Sequence, residues 1–123
     1  MIDLRGVVGM KYDKSVNKKL MKFIKIYNDY QILKIISENN NCDWKKLKEL
    51  TGLTDPALAR HIKILDVEGY IITRVNPKDR RKHYYLITDK GKKLLEELSK
   101  FESIFEKIIS ILEKVELDDK IHI

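Results

Sequence analysis

The chain has 123 residues, 43% of them hydrophobic, which suits one domain with one modest core and is too apolar for a disordered segment. Its formal charge of +6 is unevenly spread: residues 1–95 hold 21 Lys+Arg against 11 Asp+Glu, and residues 96–123 hold 4 against 8. No apolar run nears the ~20 residues that span a bilayer, no signal-peptide pattern opens the chain, and the lone Cys42 cannot form an internal disulfide, which together point to a reducing, cytoplasmic compartment.

Residues 1–13 contain two glycines and no clear period, so a loosely ordered arm is expected there. From Ser15, a residue suited to capping a helix, Val16, Leu20, Phe23, Ile24 and Tyr27 recur at helical spacing and predict a helix over 14–28. Tyr27-Asn28-Asp29 then interrupts, with Asp29 placed to cap a second helix whose apolar face is Ile32, Leu33, Ile35 and Ile36. Asn39 to Asn41 ends that helix, because Asn favours turns and left-handed backbone.

Asp43 can cap the stretch WKKLKEL, with Leu47 and Leu50 expected to face inward. Gly52 suits the left-handed position after a helix end. Thr54 caps the next helix, and Pro56 sits in its first turn, where a missing N–H does no harm. Leu58, Ile62 and Leu65 run along that helix to about Glu68, and Gly69 ends it. YIITRV and HYYLIT are β-branched, alternating strands, joined by a loop over 76–82. The loop sets Lys78, Arg80, Arg81 and Lys82 beside a single acid, Asp79. Such crowded like charge repels itself, and a polyanionic partner would offset the cost. Thr88 caps a long helix to about Val115, and the acidic end ELDDKIHI is expected to fray.

Helix, glycine turn, helix and charged hairpin over 43–88 is the order of a winged helix-turn-helix. The expected fold class is therefore mainly α with a small β-hairpin (α+β), in one domain over 14–123, with helices at 14–28 and 89–116 left for dimerisation. At 100° per residue, Leu58, Ile62 and Leu65 define the buried face of the second helix. Pro56, Arg60 and Lys63 point nearly opposite, flanked by Ala57, Ala59 and Ile64. Small residues around a long cation permit close approach to base edges, and Arg60 can donate two hydrogen bonds to a guanine. His61 lies near the edge of the buried face, where a packed, hydrogen-bonded histidine is commoner than a base contact. The candidate DNA major-groove residues are Thr54, Asp55, Pro56, Ala57, Ala59, Arg60, His61 and Lys63; the candidate wing residues are Lys78, Asp79, Arg80, Arg81 and Lys82.

The stretch LTDPALARHIKILDVEGYI resembles the recognition helix of the ArsR and MarR families of repressors. NPKDRRKHYYLITDKGKKLL is more specifically similar to the MarR wing, where D-x-R, a strand and LT-x-x-G recur. The likeness is strong over 43–95 and positional in the flanking helices. It implies that Arg81 enters the minor groove and that Asp79 holds it, and a narrow minor groove does attract Arg. Arg80, Lys82 and Lys78 would then meet phosphates. The chain departs from MarR in a shorter first helix region, and from metal-sensing ArsR proteins in lacking clustered Cys or His. His61, His83 and His122 show no ligand spacing with Cys42, so no metal and no cofactor is expected.

In the last helix Leu94, Leu98, Phe101, Phe105, Ile108, Leu112 and Val115 alternate at spacings of four and three, a seam of three heptads. A second row, Leu95, Ile104, Ile109 and Ile111, broadens the apolar face. Packing on the chain's own first helix covers part of it. Interleaving of two subunits covers the rest, with Val16, Leu20, Phe23, Leu98, Phe101, Phe105, Ile108, Leu112 and Val115 as the expected dimer interface.

The expected function is sequence-specific binding of double-stranded DNA by a homodimeric transcription regulator, a repressor, with no membrane partner. The sequence names no small-molecule effector. The alternative is a winged-helix module that docks an acidic protein, which outward aromatics on the recognition helix would favour. No nucleophile elbow, phosphate loop or paired-histidine motif points to an enzyme.

Overall fold

Helix α1 (Lys14–Glu38) is one unbroken helix, against the expected break at Asn28-Asp29, and Ser15 lies within it rather than capping it. The computed structural model describes the backbone of residues 14–121 and the side chains of 18–115, so the expected arm at 1–13, the side chain of Val16 and all of His122 lie outside the described residues. The reason for the continuity is packing. Phe23, Tyr27 and Tyr30 stack along one face, and each meets the ring of Phe105, with centroids 5.6, 6.0 and 5.5 Å apart. Burying those rings outweighs the weak helix propensity of Asn and Asp, worth only about 0.5 kcal/mol each. The C-terminal half of α1 supplies Ile32, Leu33, Ile35 and Ile36 to the core. The helix stops at the asparagines, and Asn41 takes the left-handed conformation at φ 54°.

A short strand β1 (Cys42–Asp43), absent from the sequence expectations, leads into α2 (Trp44–Thr51). Asp43 caps α2 by accepting from the Lys46 N–H, and Gly52 ends it at φ 70°. Leu47 is fully buried, but Leu50 is 54% exposed, against the expectation that both face inward. An eight-residue helix presents only a narrow stripe to the core, and Leu47 fills it. Helix α3 (Asp55–Val67) begins at the Thr54 cap and buries Ala57, Leu58, Ile62 and Leu65.

The hairpin is tighter than expected. Strands β2 (Ile71–Asn76) and β3 (Asp79–Ile87) leave only Pro77 and Lys78 between them, so Arg80, Arg81 and Lys82 lie in β3 rather than in a loop over 76–82. Pairing runs from Ile71–Ile87 to Val75–His83, then jumps to Asn76–Asp79. That jump leaves Arg80, Arg81 and Lys82 without Cα partners on β2, an extended bulge at the hairpin tip. The sheet is antiparallel in the order β1-β3-β2, with Cys42 opposite Tyr85.

The single long helix expected from Thr88 is two: α4 (Asp89–Ser99), capped by Thr88, and α5 (Glu102–Ile121), which passes the expected end at Val115. At the break Ser99 Oγ donates to the Glu96 carbonyl, and Phe101 N–H reaches back only three residues, to Leu98 O at 3.0 Å. The bend lets α4 rest Leu94 and Leu95 on the core while α5 lays Phe105 on α1. Lys34 of α1 pins the start of α5 through Glu102 at 2.6 Å.

Candidate nucleic-acid interface

The Thr54 hydroxyl accepts from the Ala57 N–H, which sets the first turn of α3. The next residue, Asp55, accepts from Trp44 Nε1 at 3.0 Å and from Lys48 Nζ at 2.9 Å. The lysine first, and the indole second, hold the Asp55 carboxyl below its usual value. Asp55 is thus a brace from α3 back to α2, with its charge answered, rather than a free acid in the reading face. The sequence expectation sets Asp55 among the readers and does not single out Trp44 or Lys48. The signal was available: an acid in the first turn of one helix, across a short turn from a cation on the last.

The remaining candidates on α3 separate cleanly. Pro56, Ala59, Arg60, Lys63 and Ile64 are exposed along one side. Ala57 is buried and belongs to the core, a correction to its place among the groove residues. Its 100° step from Pro56 turns it under the helix, against Leu53 and Leu58. His61 is packed and hydrogen-bonded, the commoner of the two expectations for it. Its side chain is 13% exposed, and its Nδ1 lies 2.7 Å from Asp29 Oδ1 of α1. Asp29, expected as a helix cap, instead accepts from both His61 and Lys25.

At the hairpin tip Asn76 Oδ1 accepts the Lys78 N–H and so shapes the two-residue turn. Asp79 Oδ1 then accepts both the backbone N–H of Arg81, at 3.1 Å, and its Nε, at 3.3 Å. That chelation fixes the base of a guanidinium whose side chain is 92% exposed, leaving its terminal nitrogens free to donate outward. Lys78, Arg80 and Lys82 are exposed around it. Behind the tip lies an open cleft of about 390 Å³ lined by Asn41, Asp43, Asn76, Pro77, Lys82, His83 and Tyr84. Its lining mixes polar and apolar surface in similar measure.

Among the described residues no cluster of His, Cys, Asp or Glu could hold a metal, and no helix is long and apolar enough to cross a membrane. Burial pushes the Cys42 thiol up to about 11, so it is held protonated inside the core.

Of the expected interface on the terminal helices, Phe105 and Leu112 are buried within the chain, with Phe105 against Phe23, Tyr27 and Tyr30. Leu20, Phe23, Leu98 and Ile108 are half-buried. Phe101 and Val115 are exposed, as are Ile104, Ile111, Met21 and Ile26.

The family model described as "Winged helix DNA-binding domain" matches residues 29–114. The HTH-type transcriptional regulator BilQ of Clostridioides difficile is 30% identical over 111 residues, which is 86% of this chain and 75% of BilQ. Among solved structures, the transcriptional regulator Tm0710 of Thermotoga maritima is 27% identical, with a TM-score of 0.57 over 85% of this chain and 77% of that one. Streptococcus pneumoniae FabT, solved in complex with DNA, is 20% identical, with a TM-score of 0.55 over 67% of this chain and 58% of FabT.

Proposed function

Because the chain belongs to the winged-helix DNA-binding domain family, with a MarR-like fold, we propose that it is a sequence-specific, homodimeric transcription regulator acting as a repressor on double-stranded DNA in the cytoplasm. The observation that carries this reading is the pair of cationic projections. Arg60 and Lys63 stand on the outer side of a helix seated by Leu58, Ile62 and Leu65, and Arg81 stands at a hairpin tip, chelated by Asp79.

In this reading α3 enters the major groove. Pro56 and Ala59 let the helix approach closely, Arg60 meets a guanine edge, and Lys63 meets phosphate. The wing lies along the neighbouring minor groove. Asp79 orients Arg81 into it, while Lys78, Arg80 and Lys82 neutralise the backbone on either side. Asp55 keeps the leading end of α3 fixed without presenting an unanswered negative charge to the DNA. The recognition helix carries no outward aromatic, which favours nucleic acid over an acidic protein as the partner.

The second copy is supported by the bare apolar residues Met21, Ile26, Phe101, Ile104, Ile111 and Val115 on α1 and α5. Charge leans the same way: Lys18, Lys19 and Lys22 line the first part of α1, whereas α5 carries Glu106 and Glu113 beside Lys107 and Lys114. Two copies with these helices interleaved would bring unlike charges together around an apolar centre.

The test is binding of two variants to a selected duplex and to a scrambled one at the same salt. Arg60→Ala is expected to cost roughly 1–3 kcal/mol on the selected site and much less on the scrambled one. Arg81→Ala is expected to weaken both, with an added loss where the flanks are A·T-rich and narrow-grooved. Equal losses from Arg60→Ala on both duplexes would make Arg60 a phosphate contact, and a neutral Arg81→Ala would remove the wing from the interface.

A further inference from the structure

Among the described residues, the one side-chain hydrogen bond between α1 and α3 joins Asp29 to His61, at 2.7 Å. Both side chains are 13% exposed. A carboxylate so shielded from water is costly unless paired, and Asp29 is paired twice, with His61 and with Lys25 at 3.3 Å. His61 follows Arg60 directly and precedes Lys63 by two, so it sits on the flank between the buried stripe and the exposed cations.

Leu58, Ile62 and Leu65 hold the helix down by apolar burial, which is non-directional. Directional bonds fix its two ends: Asp55 to Trp44 and Lys48 at the start, and Asp66, accepting from Thr73 at 2.8 Å, near the finish. The Asp29–His61 bond is the one that ties the middle of α3 to α1. At roughly 5–6 Å from the axis, a turn of about 20° moves a side-chain tip by about 2 Å. A two-bond contact to a base edge is lost over such a distance, whereas a phosphate contact by a flexible lysine survives it. The other end of the link is equally fixed. Asp29 lies between Tyr27 and Tyr30, whose rings are clamped on Phe105 of α5. The hydrogen bond therefore refers the rotation of α3 to the α1–α5 pair.

We propose that His61 is a positioning residue for base readout: through Asp29 it sets the rotation of the recognition helix, and it reads no base itself. The inference rests on the DNA-binding reading above. It predicts that Asp29, which faces away from the exposed side of α3, is as important to selectivity as a residue on the interface.

The test uses the full chain with His61→Ala, Asp29→Ala, the double variant and His61→Asn, whose side-chain amide can keep a donor near the position of Nδ1. Affinity is measured on a selected duplex and on a scrambled one at fixed salt, with a thermal melt to establish folding. Each single alanine variant is expected to weaken the selected duplex about tenfold and the scrambled one less than about threefold, as for loss of a base contact. The double variant is expected to be no worse than either single, because both remove one contact. His61→Asn is expected to recover most of the affinity. Should an alanine variant fail to fold, His61→Phe, which fills the space without a hydrogen bond, takes its place with the same expected loss. A loss from His61→Ala without one from Asp29→Ala would make His61 a direct contact and overturn the proposal. Equal losses on both duplexes, or additive losses in the double variant, would also overturn it. Normal selectivity in these variants while Arg60→Ala loses it would reject the positioning role alone. Indifference of Arg60→Ala and Arg81→Ala as well would reject the DNA-binding reading on which it rests.

Discussion

A methyl group on Gly91 would have nowhere to go. Its Cβ would collide with the Tyr70 carbonyl oxygen and come within 2.7 Å of Ile87 Cγ1. The first turn of α4 rests there directly on the ends of the two wing strands, where the Thr88 N–H also donates to the Tyr70 carbonyl at 3.1 Å. Gly52 differs: its φ of 70° is strained for an L side chain, but the space around it is open. Gly91→Ala is therefore expected to cost about 1–3 kcal/mol by overpacking, or more because a backbone carbonyl cannot step aside. Gly52→Ala should cost about 1 kcal/mol, the price of left-handed backbone alone. Parallel thermal melts check the order, and a Gly91→Ala melt at or above that of Gly52→Ala would mean the junction yields.

At the scale of helices, Phe105 and Ile104 are neighbours with opposite duties. Phe105 is buried among three aromatic rings of α1, while Ile104 is 51% exposed. Phe105→Ala is expected to destabilise the fold by about 3–5 kcal/mol. If two copies pair as proposed, Ile104→Glu should leave the fold intact and yield monomer. Denaturant unfolding and sedimentation separate the two, and a dimeric Ile104→Glu variant would move the subunit interface elsewhere. The heptad pattern could not distinguish these residues, because a seam at four-and-three spacing looks the same whether its own chain or another covers it. The caps, by contrast, were legible: Asp43, Thr54 and Thr88 each accept from the N–H three residues on, a rule that depends on nothing distant. Buried Leu58, Ile62 and Leu65 were legible from periodicity for the same reason. What escaped was tertiary. Asp29 looked like a cap until α3 placed His61 against it, and β1 is two residues made into a strand only by Tyr84 and Tyr85. The bend at Ser99 to Phe101 belongs with these. It is held by Lys34 and Glu102, whose hydrogen bond raises the lysine above its usual value and lowers the glutamate below its own. A depressed acid stabilises above its unfolded value and a raised base below its own. The link is therefore complete between those limits and is lost only as pH falls through the Glu102 value or rises through that of Lys34.

Across the whole molecule, charge is sorted by position. The +10 excess of residues 1–95, from 21 basic against 11 acidic side chains, includes the exposed cations of α3 and the wing, and the deficit of residues 96–123 falls mostly on α5. A basic body with an acidic helix presents one favourable side to a polyanion, which orients the approach before any base is read. Cations that meet phosphates displace condensed counterions, a gain that shrinks as the salt already in solution rises. Two copies, each offering Lys63, Lys78, Arg80, Arg81 and Lys82, can meet about 6–10 phosphates, for which affinity should drop roughly 10³–10⁵-fold between 50 and 200 mM salt. Titration of a labelled duplex across that range measures the slope. Arg80→Ala should flatten it if the wing touches the backbone, because one phosphate fewer is neutralised in each copy. Arg60→Ala should leave the slope nearly unchanged while lowering affinity for the selected duplex, since a base-edge contact releases no phosphate counterion. A response that stays flat with salt would mean that the cations of the wing and of α3 do not meet a nucleic-acid backbone at all, and it would return the partner of these side chains to the acidic-protein alternative.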